Sequence, residues 1–332
     1  MTAETTRPSS TVLDRTDPEG AIAAAAARNS NWGRWGEDDV HGTLNHITAA
    51  DRLRAAGLVR TGETLSLALP FDMDGPQKGW RRRTNPVHTM LDTGIEAEAG
   101  IQGFPHGLGG ADDVIAMPLQ CSTQWDGLGH IFDHGRAWNG RRSGQVVTSE
   151  GDRVTGIETA AERMVGRGVL LDVGRAIGDD GELPDGFAIL PEHLDRTIAA
   201  QGADSAVGRA DFLCVRTGQL TRALRDGWGE YAGGPAPGLS FTTADWLREH
   251  DIAGIATDTW GFEVRPNEFD VAFQPLHQVV IPHIGLYIGE MWNLDGLAAA
   301  CRADGRFEFM LVAPPLPITG AVGSPINPMA IR

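Results

Sequence analysis

From Thr159 onward, capped helical segments and short apolar runs take turns along the chain. Thr159-Ala-Ala-Glu162 opens a helix that closes near Gly166 or Gly168, and Val169-Leu-Leu-Asp-Val173 follows at once. Pro191 stands as the first residue of a helix whose Leu194 and Ile198 share a face. Gly202 ends that helix, and Phe212-Leu-Cys-Val215 comes next. Thr242-Thr-Ala-Asp245 precedes the apolar run 252–257, and a helix capped by Asn293 and extending through Cys301 precedes the run 307–312. Hydroxyl and carboxyl side chains at these starts satisfy the orphan amides of a first helical turn, and glycine relieves the last one. Apolar runs this short read as strands buried on both faces, which only a helix-covered sheet provides. The pattern predicts an α/β fold. Upstream, Thr48-Ala-Ala-Asp51 is a capping box with Gly57 as its stop, and Leu65, Leu67 and Leu69 alternating with Ser66 and Ala68 read as a half-buried strand.

Between residues 20 and 313 no composition shift marks a linker and no repeat occurs, so residues 19–332 read as one domain. Residues 1–18, polar and rich in Pro, Ser and Thr, read as a flexible tail. The 43 glycines and 19 prolines fit long loops, and the stretch 314–328 is expected to be an ordered loop or an arm. A formal net charge of −16 repels phosphate backbones and argues against nucleic acid as a partner. No stretch approaches the ~18 consecutive apolar residues of a membrane span. Cys121, Cys214 and Cys301 match no zinc spacing and fit a reducing compartment, and with no apolar leader the expected location is the cytoplasm. Arg81-Arg82-Arg83 is the one basic cluster. A solvated loop is the expected reading, with an anionic substrate or a neighbouring subunit as the alternatives.

The P-loop, the nucleophile elbow and the HExxH zinc motif are absent. The segment Gln120-Cys-Ser-Thr-Gln124-Trp-Asp126-Gly-Leu-Gly-His130 stands out instead. On a strand, Gln120, Ser122, Gln124 and Asp126 point the same way, while Met117, Leu119, Trp125 and Leu128 around them favour burial. A buried carboxylate requires a cation or several donors. Gly127 and Gly129 are expected to let the backbone turn so that His130 swings back as a base poised near neutral pH. A second constellation holds His277, His283 and Glu290, with Asp258 upstream. Glu290 follows the apolar run 284–288, and His283 reads as a packed loop residue.

Residues 120–130 resemble the HxxxHxDxxxH signature of the cyclase family of metal-dependent hydrolases, which includes bacterial kynurenine formamidase and isatin hydrolase. Asn31-Trp-Gly-Arg-Trp-Gly with Gly42-Thr-Leu-Asn45, Arg216-Thr-Gly218, Asp258-Thr-Trp260, the stretch from His277 to Glu290 with Asn293-Leu294, and Thr319-Gly-Ala-Val-Gly-Ser-Pro325 carry the resemblance across most of residues 30–330. It implies a swivelling β/β/α single domain, assembled as a homodimer or homotetramer. It also implies metal ligands at Gln120, Gln124, Asp126, His277 and Glu290, with His130 as acid/base. Two glutamines stand where the family has histidines. An amide oxygen is the harder and weaker donor, so one Mn²⁺ or Zn²⁺ ion is expected rather than a zinc pair, and loss of the metal stays open.

The expected function is hydrolysis of an amide, imide or lactone bond in a cyclic or aromatic small molecule. Water activated by the metal attacks the carbonyl, and His130, with Asp126 beside it, moves the proton. Trp125, His88, Trp260 and Phe262 are the expected substrate walls, with Trp32 and Trp35 from the same or a neighbouring subunit. A metal-free lyase, isomerase or cyclase using His130 and Asp126, and a binding protein without catalysis, are the alternatives.

Overall fold

The computed structural model describes residues 13–332. Of the expected tail, residues 1–12 lie outside the described residues, and Pro18 is already the first residue of helix α1, Pro18–Asn29, capped by the Asp17 carboxylate. The strands used below are, in chain order, β1 (Thr64–Ser66), β2 (Val87–Asp92), β3 (Asp112–Ala116), β4 (Gln124–Asp126), β5 (Val165–Asp172), β6 (Phe212–Arg216), β7 (Gly254–Thr257), β8 (Tyr287–Glu290), β9 (Glu308–Val312), β10 (Gly323–Pro325) and β11 (Met329–Ile331). All but β2 and β3 join a nine-stranded sheet in the order β1-β11-β9-β5-β6-β7-β8-β4-β10. Strands β5, β6, β7 and β8 are parallel neighbours, and the strands flanking them pair antiparallel. The parallel centre is made of the apolar runs, and every residue of β6 and β7 is buried. Val169 and Leu171 pack into one core cluster and Leu170 into the other, so the sheet is covered on both faces. This is a mixed α/β single domain, as the alternation predicts.

The helices follow their caps. Helix α2 (Ala49–Ala56) carries the Thr48/Asp51 capping box, and α3 (Pro191–Gln201) begins on its proline and stops at Gly202. Helices α4 (Gln219–Asp226), α5 (Thr243–Glu249), α6 (Pro275–Val279) and α7 (Asp295–Asp304) complete the set used here. Asn293 lies one residue outside the α7 cap position, which Leu294 occupies, yet its side chain still accepts from Asp295 N at 3.4 Å.

Two expectations change. The helix at 159–162 is a single 3-10 turn, Ile157–Ala160, because β5 starts earlier and takes both glycines into its ladder. Gly166 and Gly168 make room there for the rings of Phe212 and Phe309. Strand β1 stops at Ser66, since Leu69 N donates to the Thr123 hydroxyl rather than to a neighbouring strand. The stretch 314–328 is an ordered loop that contributes β10, antiparallel to β4. Strands β2 and β3 form a separate ribbon whose every residue is exposed. Among the described residues no helix is long and apolar enough to cross a membrane.

Candidate functional site

The site is assembled by one strand pair and one helix. In the β4–β8 register Gln124 lies opposite Glu290, and Asp126 lies opposite Ile288. Side chains directly opposite on an antiparallel pair are neighbours, and residues two apart share a face. Gln124, Asp126 and Glu290 therefore meet on one buried face. Gln124 Nε2 donates to Asp126 Oδ1 and to Glu290 Oε2, both at 3.1 Å.

His277 reaches the same place from α6. Its Nε2 is 3.3 Å from Glu290 Oε1, and its Nδ1 donates to Glu263 Oε1 at 2.5 Å. Glu263 also accepts from the backbone amides of Leu276 at 3.1 Å and His277 at 3.0 Å, so one carboxylate caps the helix and fixes the imidazole. Nothing in the sequence singles out Glu263. The only local signal is a carboxylate upstream of Pro275, and the segment between them follows no regular pattern. Asp126, His277 and Glu290 form a cluster whose ligand atoms all lie within 4.8 Å of one another.

Burial sets the electrostatics. It raises the Asp126 pKa, and neighbouring Glu290 pushes the same way while His130 and Arg83 oppose. Burial would lower His277, but its bonds to Glu263 and Glu290 outweigh that and raise it to about 10. His130 is only 10% exposed, with Nε2 3.8 Å from Asp126 Oδ1. Burial holds its pKa below the usual value, Asp126 opposes, and the charges of Arg83 and Arg81 reinforce it. Neutral His130 beside a carboxylate can accept a proton, and the two carboxylates bonded to His277 favour its charged form.

The glycines around His130 act by size. Neither Gly127 nor Gly129 has a positive φ, but a Cβ on Gly129 would collide with the Asp152 carboxylate. Gln120 and Ser122 precede β4 in turns, so the expected four-residue polar face shrinks to Gln124 and Asp126. The Gln120 amide lies against Gly323 and makes no hydrogen bond to Gln124, Asp126 or Glu290 among the described residues. Trp125 points the other way, as alternation requires. It is a core residue packed on Trp292 at 4.9 Å, with its indole N–H on Ala313 O, and it does not line the site. His88 sits on the exposed β2–β3 ribbon, paired with Asp113 at 2.8 Å, because β2 leaves the body of the sheet.

Phe262 and Trp260 do border the site. Phe262 N donates to Glu290 Oε1 at 3.2 Å and its ring stands edge-on to His277 at 5.6 Å, while Trp260, Glu263 and Gln274 line an adjoining pocket. Asp258 stays apart, accepting from the amides of Thr217 and Gly218 where α4 begins. His283 is the packed residue expected, bonded to Asp133 and stacked on Trp32. Trp32 and Trp35 pack within their own chain, against His283 and His46.

The Cyclase family model matches residues 64–264. A crystal structure of a novel cyclase is 38% identical to this chain and superposes with a TM-score of 0.83, covering 92% of this chain and 99% of that one. Isatin hydrolase A from Labrenzia aggregata, bound to benzyl benzoate, is 20% identical with a TM-score of 0.57, covering 85% of this chain and 98% of its own. Isatin hydrolase A from Ralstonia solanacearum is 16% identical with a TM-score of 0.59, covering 86% and 97%. None of the curated proteins matches the chain. On the family match and the 38% identity over nearly the whole length, the chain belongs to the cyclase family.

Proposed function

We propose that this chain is a metal-dependent hydrolase that opens an amide, imide or lactone bond in a cyclic or aromatic small molecule. The observation that carries the reading is the buried convergence of Asp126, His277 and Glu290, with Glu263 orienting the imidazole. The isatin hydrolases, which share the fold, support the reaction class. The donor set fits one Mn²⁺ or Zn²⁺ ion: two carboxylates, an imidazole Nε2 and an amide. Gln124 Oε1 is buried without a hydrogen-bond partner, so a turned amide would offer that oxygen to a cation. Gln120 belongs outside this set. A divalent metal held there supplies Lewis acidity toward a carbonyl oxygen and lowers the pKa of a bound water.

The remaining work falls to the chain. Neutral His130 takes the proton at Nε2 and returns it to the leaving nitrogen or oxygen, while the nearby Asp126 carboxylate steadies the imidazolium. Phe262 and Trp260 exclude water on the pocket side. We place the enzyme in the cytoplasm, on three buried cysteines with no disulfide. We also read the exposed apolar ribbon of β2 and β3 as its self-association surface.

One observation favours a metal-free proton-transfer enzyme: the Gln124 NH₂ group and the His277 ring already face the carboxylates. A chelator decides. Protein loaded with Mn²⁺ or Zn²⁺ is assayed on aryl amides, cyclic imides and lactones with and without EDTA. Hydrolysis that EDTA abolishes and either ion restores is the expected result, and hydrolysis that EDTA leaves untouched moves the assignment to the metal-free reading. His130→Asn should retain metal and melting temperature and lose about 10²–10⁴-fold in turnover.

A further inference from the structure

Three arginines are buried among the described residues: Arg83, Arg216 and Arg332. Arg216 pairs with Asp172 and Asp295, and Arg332 with Asp304. Arg83 is 8% exposed, and no carboxylate or carbonyl of the described residues accepts from its guanidinium. A buried cation without an anion is costly unless something outside the chain completes it. The Arg83 guanidinium lies over the Trp260 ring at 5.3 Å, beside the pocket that adjoins the metal-ligand cluster. Its charge opposes the rise of the Asp126 pKa and adds to the lowering of the His130 pKa.

Arg81, two residues earlier, is exposed. Its guanidinium has no acceptor among the described residues, and it feels the charges of Asp126 and Glu290 as well as the like charge of Arg83. The loop that presents them is held in an unfavourable shape. Arg81 and Arg82 have φ of 52° and 63°, a region that L side chains seldom adopt. The turn is closed by Arg82 N on Gly79 O and Arg83 N on Trp80 O, both at 3.0 Å. In a chain of net charge −16, neither of these guanidiniums has a carboxylate partner among the described residues. Of the Arg81–Arg83 run, Arg81 and Arg82 are exposed as a solvated loop requires, and Arg83 alone turns inward.

We propose that Arg83, held over Trp260 and seconded by Arg81, binds a carboxylate on the substrate. This rests on the hydrolase reading and narrows it to anionic amides, imides or lactones. A guanidinium offers paired N–H donors in the geometry of a carboxylate, and stacking on an aromatic face fixes its plane.

Equilibrium binding tests this without turnover. Benzoate and phenylacetate are titrated against their primary amides, using metal-loaded and metal-free protein. Wild-type protein should prefer each acid by about tenfold or more, and should do so without metal, where coordination cannot be the cause. Arg83→Gln should erase most of that preference while leaving amide affinity and metal content unchanged, and Arg83→Lys should restore part of it. If Arg83→Gln does not fold, Arg81→Gln should reduce the preference in the same direction. An unchanged acid-to-amide ratio in a folded variant, or no acid binding to wild-type protein, overturns the proposal. A failed hydrolase reading would leave the acid preference intact and remove only the EDTA-sensitive turnover.

Discussion

Glu263 takes three donors on one carboxylate, two backbone amides and the His277 Nδ1–H, and so joins a helix start to an imidazole. A carboxylate behind a ligating histidine fixes its tautomer and raises its basicity, and losing such a partner costs typically about 10–100-fold in metal affinity. Glu263→Gln should weaken Mn²⁺ or Zn²⁺ binding by that amount in a chelator-competition titration, and unaltered affinity would mean that His277 is not a ligand. The raised His277 pKa of about 10 adds a pH dependence. Below pH 10 a metal must displace the Nε2 proton, so its affinity should rise about tenfold per pH unit for each proton released. Calorimetry in buffers of different ionisation enthalpy reads that release directly, and His277→Ala should abolish its share. His130 has the opposite sign. Its pKa is depressed, so it stays neutral and competent as a base below its ordinary value of 6.5. The acidic limb of the kcat/KM profile should lie below pH 6.5, and a limb above it would remove His130 as the base.

Between His277 and Glu290 the chain changes element twice. Helix α6 widens into a π-helical turn, Val280–Ile284, and ends on Gly285 in the left-handed region before entering β8. The apolar stretch around residues 284–288 reads as one run in sequence, yet Ile284 closes the helical turn and Tyr287 opens the strand. Gly285 makes the reversal possible. Its φ is 78°, and a Cβ there would stand 2.6 Å from the buried Trp138 ring. Left-handed backbone strain and overpacking together put the cost of Gly285→Ala at about 2–5 kcal/mol. Thermal unfolding should show that loss, accompanied by weaker metal binding, because the turn spaces His277 from Glu290. A variant as stable as wild type would show that the segment can repack without disturbing the site.

At the scale of the molecule, the β2–β3 ribbon leaves the body and exposes Val87, Leu91, Ile95, Ile101, Phe104 and Leu108, each by about half or more of its surface. A two-stranded ribbon is marginal in water by itself, and an apolar surface of this kind marks an interface. If this ribbon carries the proposed self-association, replacing residues 89–114 by a short Gly-Ser turn should leave a monomer in sedimentation velocity while the nine-stranded sheet stays folded. Wild-type protein that sediments as a monomer would refute self-association through this ribbon. The histidine of the ribbon, His88, then belongs to that surface and not to the substrate walls of its own chain.

The α/β alternation, the Thr48/Asp51 capping box, the Pro191 start and the buried runs of β6 and β7 were legible in the sequence. Capping and periodicity are local, acting within a turn of helix or between alternate residues of a strand. The same locality explains why residues 120–130 stood out, and the family resemblance gave His277 and Glu290, already noted late in the chain, the role of ligands. Only the tertiary structure decided which of the candidates meet. Gln124 and Glu290 are 166 residues apart and touch through the β4–β8 register, a single slip of which would turn each side chain to the opposite face. That register sends Trp125 into the core and leaves Gln120 short of the strand. Glu263 carries no motif at all, and Arg83 lies in a basic run that read as a solvated loop. Their roles depend on burial and on which charges have partners, and those are properties of the packed chain rather than of any segment within it.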